Sequence, residues 1–345
     1  MILLTDLFKN EIEQLMVDRG YPKFRGSQIH DWLMKGASSF DDMKNLPKDL
    51  RNDLEQDENI AIGIPKTEGK LVSNKDGTRK YVVSLYDGNI VECVLLKYEY
   101  GYSCCVSTQA GCRMGCRFCA STGIGFSRGL YAGEILGQIL LMQKDAGERI
   151  SNVVLMGIGE PFDNYDNVLR FFHLVNAKDG LNIGMRHITV STCGIVPRIR
   201  QLADEKLQIT LAVSLHAADD ETRNSIMPVN KKYPLKELLK ACDYYFLQTG
   251  RRVTFEYAII KNVNQDRRHA KQLADILKGR NCHLNLISIN EIPGDVYKKE
   301  DDISVKAFAD HVRENGVEVT IRRELGSDID AACGQLRRSI LETKR

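Results

Sequence analysis

The 345-residue sequence has no run of about eighteen uninterrupted apolar residues, the least that spans a bilayer as a helix, so no membrane partner is expected. Its opening residues, MILLTDLFK, hold no basic segment followed by a long apolar one. Export is therefore not expected, and a cytoplasmic location is. An excess of one charge is also missing: 48 Lys and Arg stand against 46 Asp and Glu, a formal net charge of +2. That balance neither requires nor excludes nucleic acid, because local basic groups matter more than the total. No short internal repeat is visible, which sets aside a repeat architecture.

What is present is ordinary for a globular chain: 43% hydrophobic and 27% charged residues, enough for one large domain with a small appendage. A monomer is expected. Ten cysteines lie at 93, 104, 105, 112, 116, 119, 193, 242, 282 and 333. Their number alone would allow a disulfide framework, but a chain this long needs no such staples. Metal-bound and catalytic thiols in a reducing compartment suit it better.

Three segments follow from the patterning. Residues 1–58 read as a helical accessory domain, with helices over 12–19, 24–33 and from 46 on, Pro47 standing in a first turn. Its basic residues suit RNA contact and a solvated face equally. Residues 59–98 read as a β-hairpin extension, the runs 80–85 and 89–97 flanking the turn Tyr86-Asp87-Gly88. Residues 99–345 alternate strand and helix. Strands are expected at 105–108, 153–156, 187–191, 209–215, 253–260, 282–289 and 317–322, with helices at 133–143, 165–174, 196–203, 235–245, 268–277 and 304–314. Such alternation predicts an α/β fold with a parallel sheet or barrel and a site beyond the carboxyl ends of its strands.

Cys112, Cys116 and Cys119 form a CxxxCxxC run. Soft thiolates favour iron–sulfur or zinc centres over hard cations. A cubane has four irons, so three protein thiolates leave one iron open to a small molecule. Structural zinc normally closes with four ligands, and no neighbouring pair completes such a set, although zinc stays open as an alternative. Gly157 and Gly159 allow close backbone approach after an apolar strand, and Glu160 can pair with an ammonium group. Alone, the same run would be a tight turn, His216 a hydrogen-bonded core histidine and Asn290 a loop cap. Cys333 alone would be a small buried hydrophobe. Glu92 stands out as a carboxylate in an apolar strand, which needs a partner or a task.

The runs at 105–119 (CVSTQAGCRMGCRFC), 156–161 (MGIGEP), 214–216 (SLH), 252–257 (RVTFEY) and 328–336 (DIDAACGQL) together resemble the RlmN/Cfr family of radical S-adenosylmethionine (SAM) RNA methyltransferases. The resemblance covers nearly the whole chain and implies a partial (β/α)6 radical-SAM barrel. It implies a [4Fe-4S] cluster on Cys112, Cys116 and Cys119. It implies SAM held by Gly159, Glu160, Ser191, Ser214, Leu215, His216 and Asn290. Cys333 becomes the methyl carrier, Glu92 the proton acceptor, and Cys105 the thiol that resolves the enzyme–RNA link through a transient disulfide with Cys333.

The chemistry so implied has two stages. A ring carbon such as adenine C2 is too electron-poor to take a methyl group from SAM by displacement. One SAM therefore methylates Cys333; a second, cleaved by one electron from the cluster, gives a radical that activates that methyl for addition to the ring. The implied substrate is C2 of an adenosine in the peptidyl transferase region of 23S rRNA, with adenosine 37 of tRNA as a second target and a flavodoxin or ferredoxin as electron donor. Paired arginines at 251–252, 267–268, 322–323 and 337–338 offer phosphate contacts near the later strand ends. Three alternatives remain: the resistance-type relative that methylates C8, a non-catalytic metal-stabilised RNA-binding protein, and a radical SAM enzyme acting on a peptide or small molecule. The runs 156–164, 180–187 and 251–256 look more like the housekeeping C2 form.

Overall fold

The computed structural model describes residues 1–290 and 296–331. The N-terminal unit begins with β1 (Ile2–Leu3), followed by helices α1 (Lys9–Asp18), α2 (Phe24–Met34) and α3 (Lys48–Gln56), and ends in β2 (Ile60–Ala61), which pairs in parallel with β1. Helix α1 is set by its first turn, where the Phe8 N–H donates to Glu11 Oε2 at 2.7 Å. Helix α2 lies so close to α1 that a Cβ on Gly26 would sit 2.4 Å from Glu13 Cα. Pro47 stands at the N-cap of α3, one residue ahead of the first turn in which the sequence placed it. Leu4, Ile12, Met16, Ile29, Leu33, Leu50 and Leu54 close a small core belonging to this unit alone.

The rest is built on one ten-stranded sheet. It opens with antiparallel strands β3 (Lys66–Val72), β4 (Arg79–Ser84) and β5 (Ile90–Tyr98), then β6 (Gly101–Cys105). A two-stranded ribbon, β7 (Gln109–Gly111) and β8 (Phe126–Gly129), follows outside that sheet. Helix α4 (Ala132–Ala146) leads to β9 (Ile150–Leu155), α5 (Tyr165–Asn176), β10 (Ile188–Thr192), α6 (Val196–Asp204), β11 (Thr210–Ser214), α7 (Asp220–Ile226), α8 (Leu235–Thr249), β12 (Val253–Ile259), α9 (Arg267–Leu277), β13 (Cys282–Ser288), α10 (Asp302–Glu314) and β14 (Val319–Ile321).

From β6 onward every neighbouring pair is parallel: β6–β9–β10–β11–β12–β13–β14. Six strand–helix units and a short last strand make the partial (β/α)6 barrel of the radical SAM fold. Outward residues such as Phe255 and Tyr257 enter the main core with Phe171, Leu238 and Phe308 of the helices. The alternating Thr254, Glu256 and Ala258 face the other way, and Glu256 and Ala258 line a cavity.

The structure departs from the sequence reading in several places. The strand expected at 105–108 lies at Gly101–Cys105 instead, and α7 was not expected. The extension has a third strand, β3, and the last strand is shorter than 317–322. The β7–β8 ribbon is also new; both of its members are too short to show a hydrophobic period.

Candidate active site

The cysteine loop hangs from the β7–β8 ribbon. Gly111, at φ +85°, ends β7, and a Cβ there would lie 1.7 Å from Gly125 O, so only glycine lets the ribbon close. The Cys112 N–H donates to Gly125 O at 3.2 Å. Inside the loop the Cys119 N–H and the Thr122 hydroxyl both donate to Cys116 O, at 3.2 and 3.0 Å. Two ties fasten the loop to the barrel: the Arg117 N–H donates to Ile226 O at 3.0 Å, and Arg113 makes a two-pronged pair with Asp163 at 2.7 and 2.8 Å.

Cys112, Cys116 and Cys119 line one open cavity at the carboxyl ends of the parallel strands. Burial pushes the Cys112 thiol up to about 11 and that of Cys116 higher still, so each holds its proton until a metal displaces it. Among the described residues no three His, Cys, Asp or Glu side chains converge on one ion position. A cubane takes one thiolate per iron, at separate corners, and three soft donors on a single cavity wall fit it.

Most of the expected SAM residues share that cavity: Gly159, Glu160, Ser191, Ser214, His216 and Asn290. Leu215 does not. Its side chain belongs to the main core, and its polar atoms serve the barrel: its N–H donates to Glu256 O and its carbonyl accepts from Arg223 Nε, both at 2.9 Å. Gly159 packs so tightly that a Cβ would meet Gln109 Cβ at 2.6 Å. Glu160 is buried, which pushes its acid up, while the Cys193 N–H (2.8 Å) and the Phe162 N–H (3.0 Å) donate to its two oxygens and pull the other way. The Thr192 and Cys193 side chains also bond it. His216 accepts from the Ala258 N–H at Nδ1 (2.9 Å), which leaves the proton on Nε2. Burial, then the nearby Arg223 cation, lower its pKa to about 3. His216 is a neutral hydrogen-bond donor here.

A second, smaller cavity adjoins the first and contains Cys105. Met156, Ile287, Asn290 and Arg322 line both. Cys105 pairs across the ladder with Val94, and the two pack with Ile158 and Ala331. Glu92, two residues before Val94, lies on the same face of β5, is fully buried, and sits 3.9 Å from the buried Lys80 ammonium. Cys333 lies outside the described residues; Ala331, two residues before it, is the last one placed.

Sequence reasoning missed Lys80, although the register was legible: the hairpin pairs Val82 with Glu92 and Lys80 with Val94, which makes Lys80 and Glu92 diagonal neighbours on one face. It also missed Arg223, fully buried and donating to the carbonyls of Cys193, Ser214 and Leu215 and to Asn230 Oδ1 at 2.7 to 2.9 Å. No local pattern in the sequence marks it. The paired arginines require a correction. Arg251 and Arg252 precede β12, at the end of the barrel away from the cysteine loop, where Arg252 pairs with Glu318 at 3.5 Å. Only Arg322 and Arg323 line a cavity of the site, while Arg267 and Arg268 open α9 and the 337–338 pair is outside the described residues.

Comparison with known proteins bears on this arrangement directly. The family described as the Radical SAM superfamily matches residues 106–274, and the ribosomal RNA large subunit methyltransferase N-terminal domain matches residues 2–60. A Clostridium perfringens protein named "Probable dual-specificity RNA methyltransferase RlmN" is 54% identical, over 99% of this chain and 98% of its own length. The chain belongs to the RlmN family. A Clostridium acetobutylicum protein of the same name is 52% identical over 98% of both chains. The crystal structure of a radical SAM methyltransferase from Sphaerobacter thermophilus superposes with a TM-score of 0.93 at 40% identity, covering 98% of this chain and 99% of that one. The family's cofactors are a [4Fe-4S] cluster and SAM.

Proposed function

We propose that this RlmN-type radical SAM RNA methyltransferase methylates C2 of an adenosine in 23S rRNA, and adenosine 37 of tRNA, through Cys333. The observation that carries the reading is the wall common to the two cavities, where Met156, Ile287, Asn290 and Arg322 face the cysteine loop on one side and Cys105 on the other. A carrier that takes a methyl group at one place and delivers it at another needs two such adjoining chambers.

When bound, the cluster and SAM supply one-electron chemistry and the methyl group. Cys112, Cys116 and Cys119 would hold the cluster, and Gly159 with Glu160 the amino end of SAM. Ser191, Ser214, His216 and Asn290 would complete the pocket, with Leu215 fixing the strand end behind it. A neutral His216 offers SAM a donor without adding a second positive charge beside its sulfonium. The target adenosine must leave its stack to reach Cys105, and Arg322 with Arg323 would meet its phosphates. Glu92 would take the ring proton, and Cys105, as thiolate, would close a disulfide with Cys333 as the product leaves. The helical unit 1–58 would extend the RNA contact, and a flavodoxin or ferredoxin would deliver the electron.

The test is to incubate anaerobically reconstituted enzyme with reductant, methyl-labelled SAM and unmodified 23S rRNA fragment or tRNA, then digest the RNA and identify the nucleoside. 2-Methyladenosine, lost in Cys333→Ala, is the expected product. 8-Methyladenosine would overturn the C2 assignment. Cleaved SAM without any methylated base would overturn the RNA substrate.

A further inference from the structure

The β3–β4 turn and the segment leading to Cys333 hold each other by reciprocal bonds. The turn, residues 73–78, gives the Ser73 hydroxyl and the Asn74 N–H to the two carboxylate oxygens of Asp328, at 2.7 and 3.1 Å. In return the Gly326 N–H donates to Asp76 Oδ2 at 2.9 Å. Gly326, at φ +65°, is seated so closely that a Cβ would lie 2.9 Å from Thr78 Cγ2 and 2.7 Å from Ala331 Cβ. The Ala331 N–H then donates to Gly326 O at 3.0 Å, which folds 326–331 back on itself. Lys80 completes the join, its Nζ donating to Asp330 O at 3.2 Å while lying 3.9 Å from Glu92 Oε2.

These bonds link parts of the chain about 250 residues apart in sequence, and none of them touches the main core. They end at Ala331, which packs against Cys105. Cys333 is two residues further on, a tether of about 7 Å at most. A flexible segment would dilute the two thiols over a large volume, whereas a short anchored one raises their effective concentration. We infer that the β3–β4 turn and Lys80 form a clasp that positions the carrier segment against Cys105, with Ser73, Asp76, Lys80 and Asp328 as positioning residues. The inference rests on the proposed roles of Cys105 and Cys333. It assigns the β extension a task in the reaction, that of keeping the resolving thiol within reach of the carrier. Through Lys80 the same clasp registers the carrier segment against Glu92.

The experiment measures how readily the two thiols join in the reconstituted enzyme, held anaerobically in glutathione buffers of graded ratio. Forming the disulfide removes two electrons and two protons from Cys105 and Cys333 and passes them to oxidised glutathione, which leaves as two reduced molecules. Acid trapping and peptide mass spectrometry give the effective concentration. Alkylation of Cys333 by iodoacetamide reports its bare reactivity, and thermal melting reports folding.

Asp328→Ala and Lys80→Met are each expected to lower the effective concentration at least tenfold without slowing alkylation. Asp328→Asn keeps an acceptor for Ser73 and should recover most of the loss. Ser73→Ala, which removes the bond to Asp328 together with the two that the hydroxyl accepts from the Lys75 and Asp76 N–H groups within the turn, serves if Asp328→Ala fails to fold. Wild-type pairing in the variants would overturn the clasp alone. Absence of any Cys105–Cys333 disulfide in the wild-type enzyme would overturn the two-thiol reading on which it rests.

Discussion

At the scale of single residues the site is governed by burial. His216 is the clearest case, because its pKa falls from 6.5 to about 3 for a nameable cause, desolvation reinforced by Arg223. The sign of the resulting pH dependence is fixed. The unfolded chain takes up a proton at His216 as pH drops through 6.5 while the folded chain does not, so the stability present above 6.5 is progressively lost toward 3. Each pH unit in that window costs up to about 1.4 kcal/mol. Between pH 7 and pH 5 the wild-type protein should therefore lose about 2 kcal/mol more than His216→Gln does. Urea unfolding of both proteins at the two pH values measures this. Equal losses would mean that His216 is charged in the fold or titrates freely, contrary to its bond from the Ala258 N–H.

At the scale of elements, the β7–β8 ribbon does for the cysteine loop what a long strand could not. It sets the two ends of the loop side by side and leaves the three thiols on the turn between them. Gly111→Ala should break it. An L-residue at that φ costs about 1–2 kcal/mol, and the added Cβ meets a backbone carbonyl that cannot swing aside. The ribbon lies outside the ten-stranded sheet, so the damage should stay local. The expected result is a large fall in iron bound per chain after reconstitution, with the global melting temperature little changed. A variant with full iron content would show that the ribbon does not set the loop.

How much of this was legible in the sequence follows from what each feature depends on. The parallel strands and their helices were, because each carries its own hydrophobic period. The cysteine loop and the Gly-Ile-Gly-Glu turn were, because their chemistry is written in consecutive residues. Arg223 was not, because the carbonyls it serves lie just past β10 and at the end of β11, and only the fold brings them together. The clasp was not for the same reason: only the fold brings Ser73 and Asp76 of the turn against Asp328 and Gly326, about 250 residues on. Arg251 and Arg252 misled because position in sequence was read as position on the barrel. A residue before a parallel strand lies at the end opposite the site.

At the scale of the whole molecule, two cores meet but do not merge. The N-terminal helices close over their own apolar cluster, and the sheet and its helices close over another. Phe8, Met34 and Ile64 pack against the main core, Met34 and Ile64 touching both clusters, and polar bonds add to the seam. Arg170 of α5 reaches Asp6 O at 2.7 Å and Glu11 Oε2 at 2.7 Å, and the Gly133 N–H of α4 donates to Asp6 Oδ1 at 2.7 Å. Ligand binding should therefore stiffen one core without the other. SAM at about a hundredfold excess over its Kd adds about 2.7 kcal/mol to whatever unfolds with its site. The strands whose ends line the SAM cavity are β9 to β13. In hydrogen–deuterium exchange of the reconstituted enzyme, their amides and those of the 112–129 ribbon should slow on adding SAM. The amides of α1, α2 and α3 should exchange at unchanged rates. Protection that spread equally through α1 to α3 would mean that the two cores unfold as one unit, coupled through the seam that Phe8, Met34, Ile64 and the Arg170 and Asp6 bonds make.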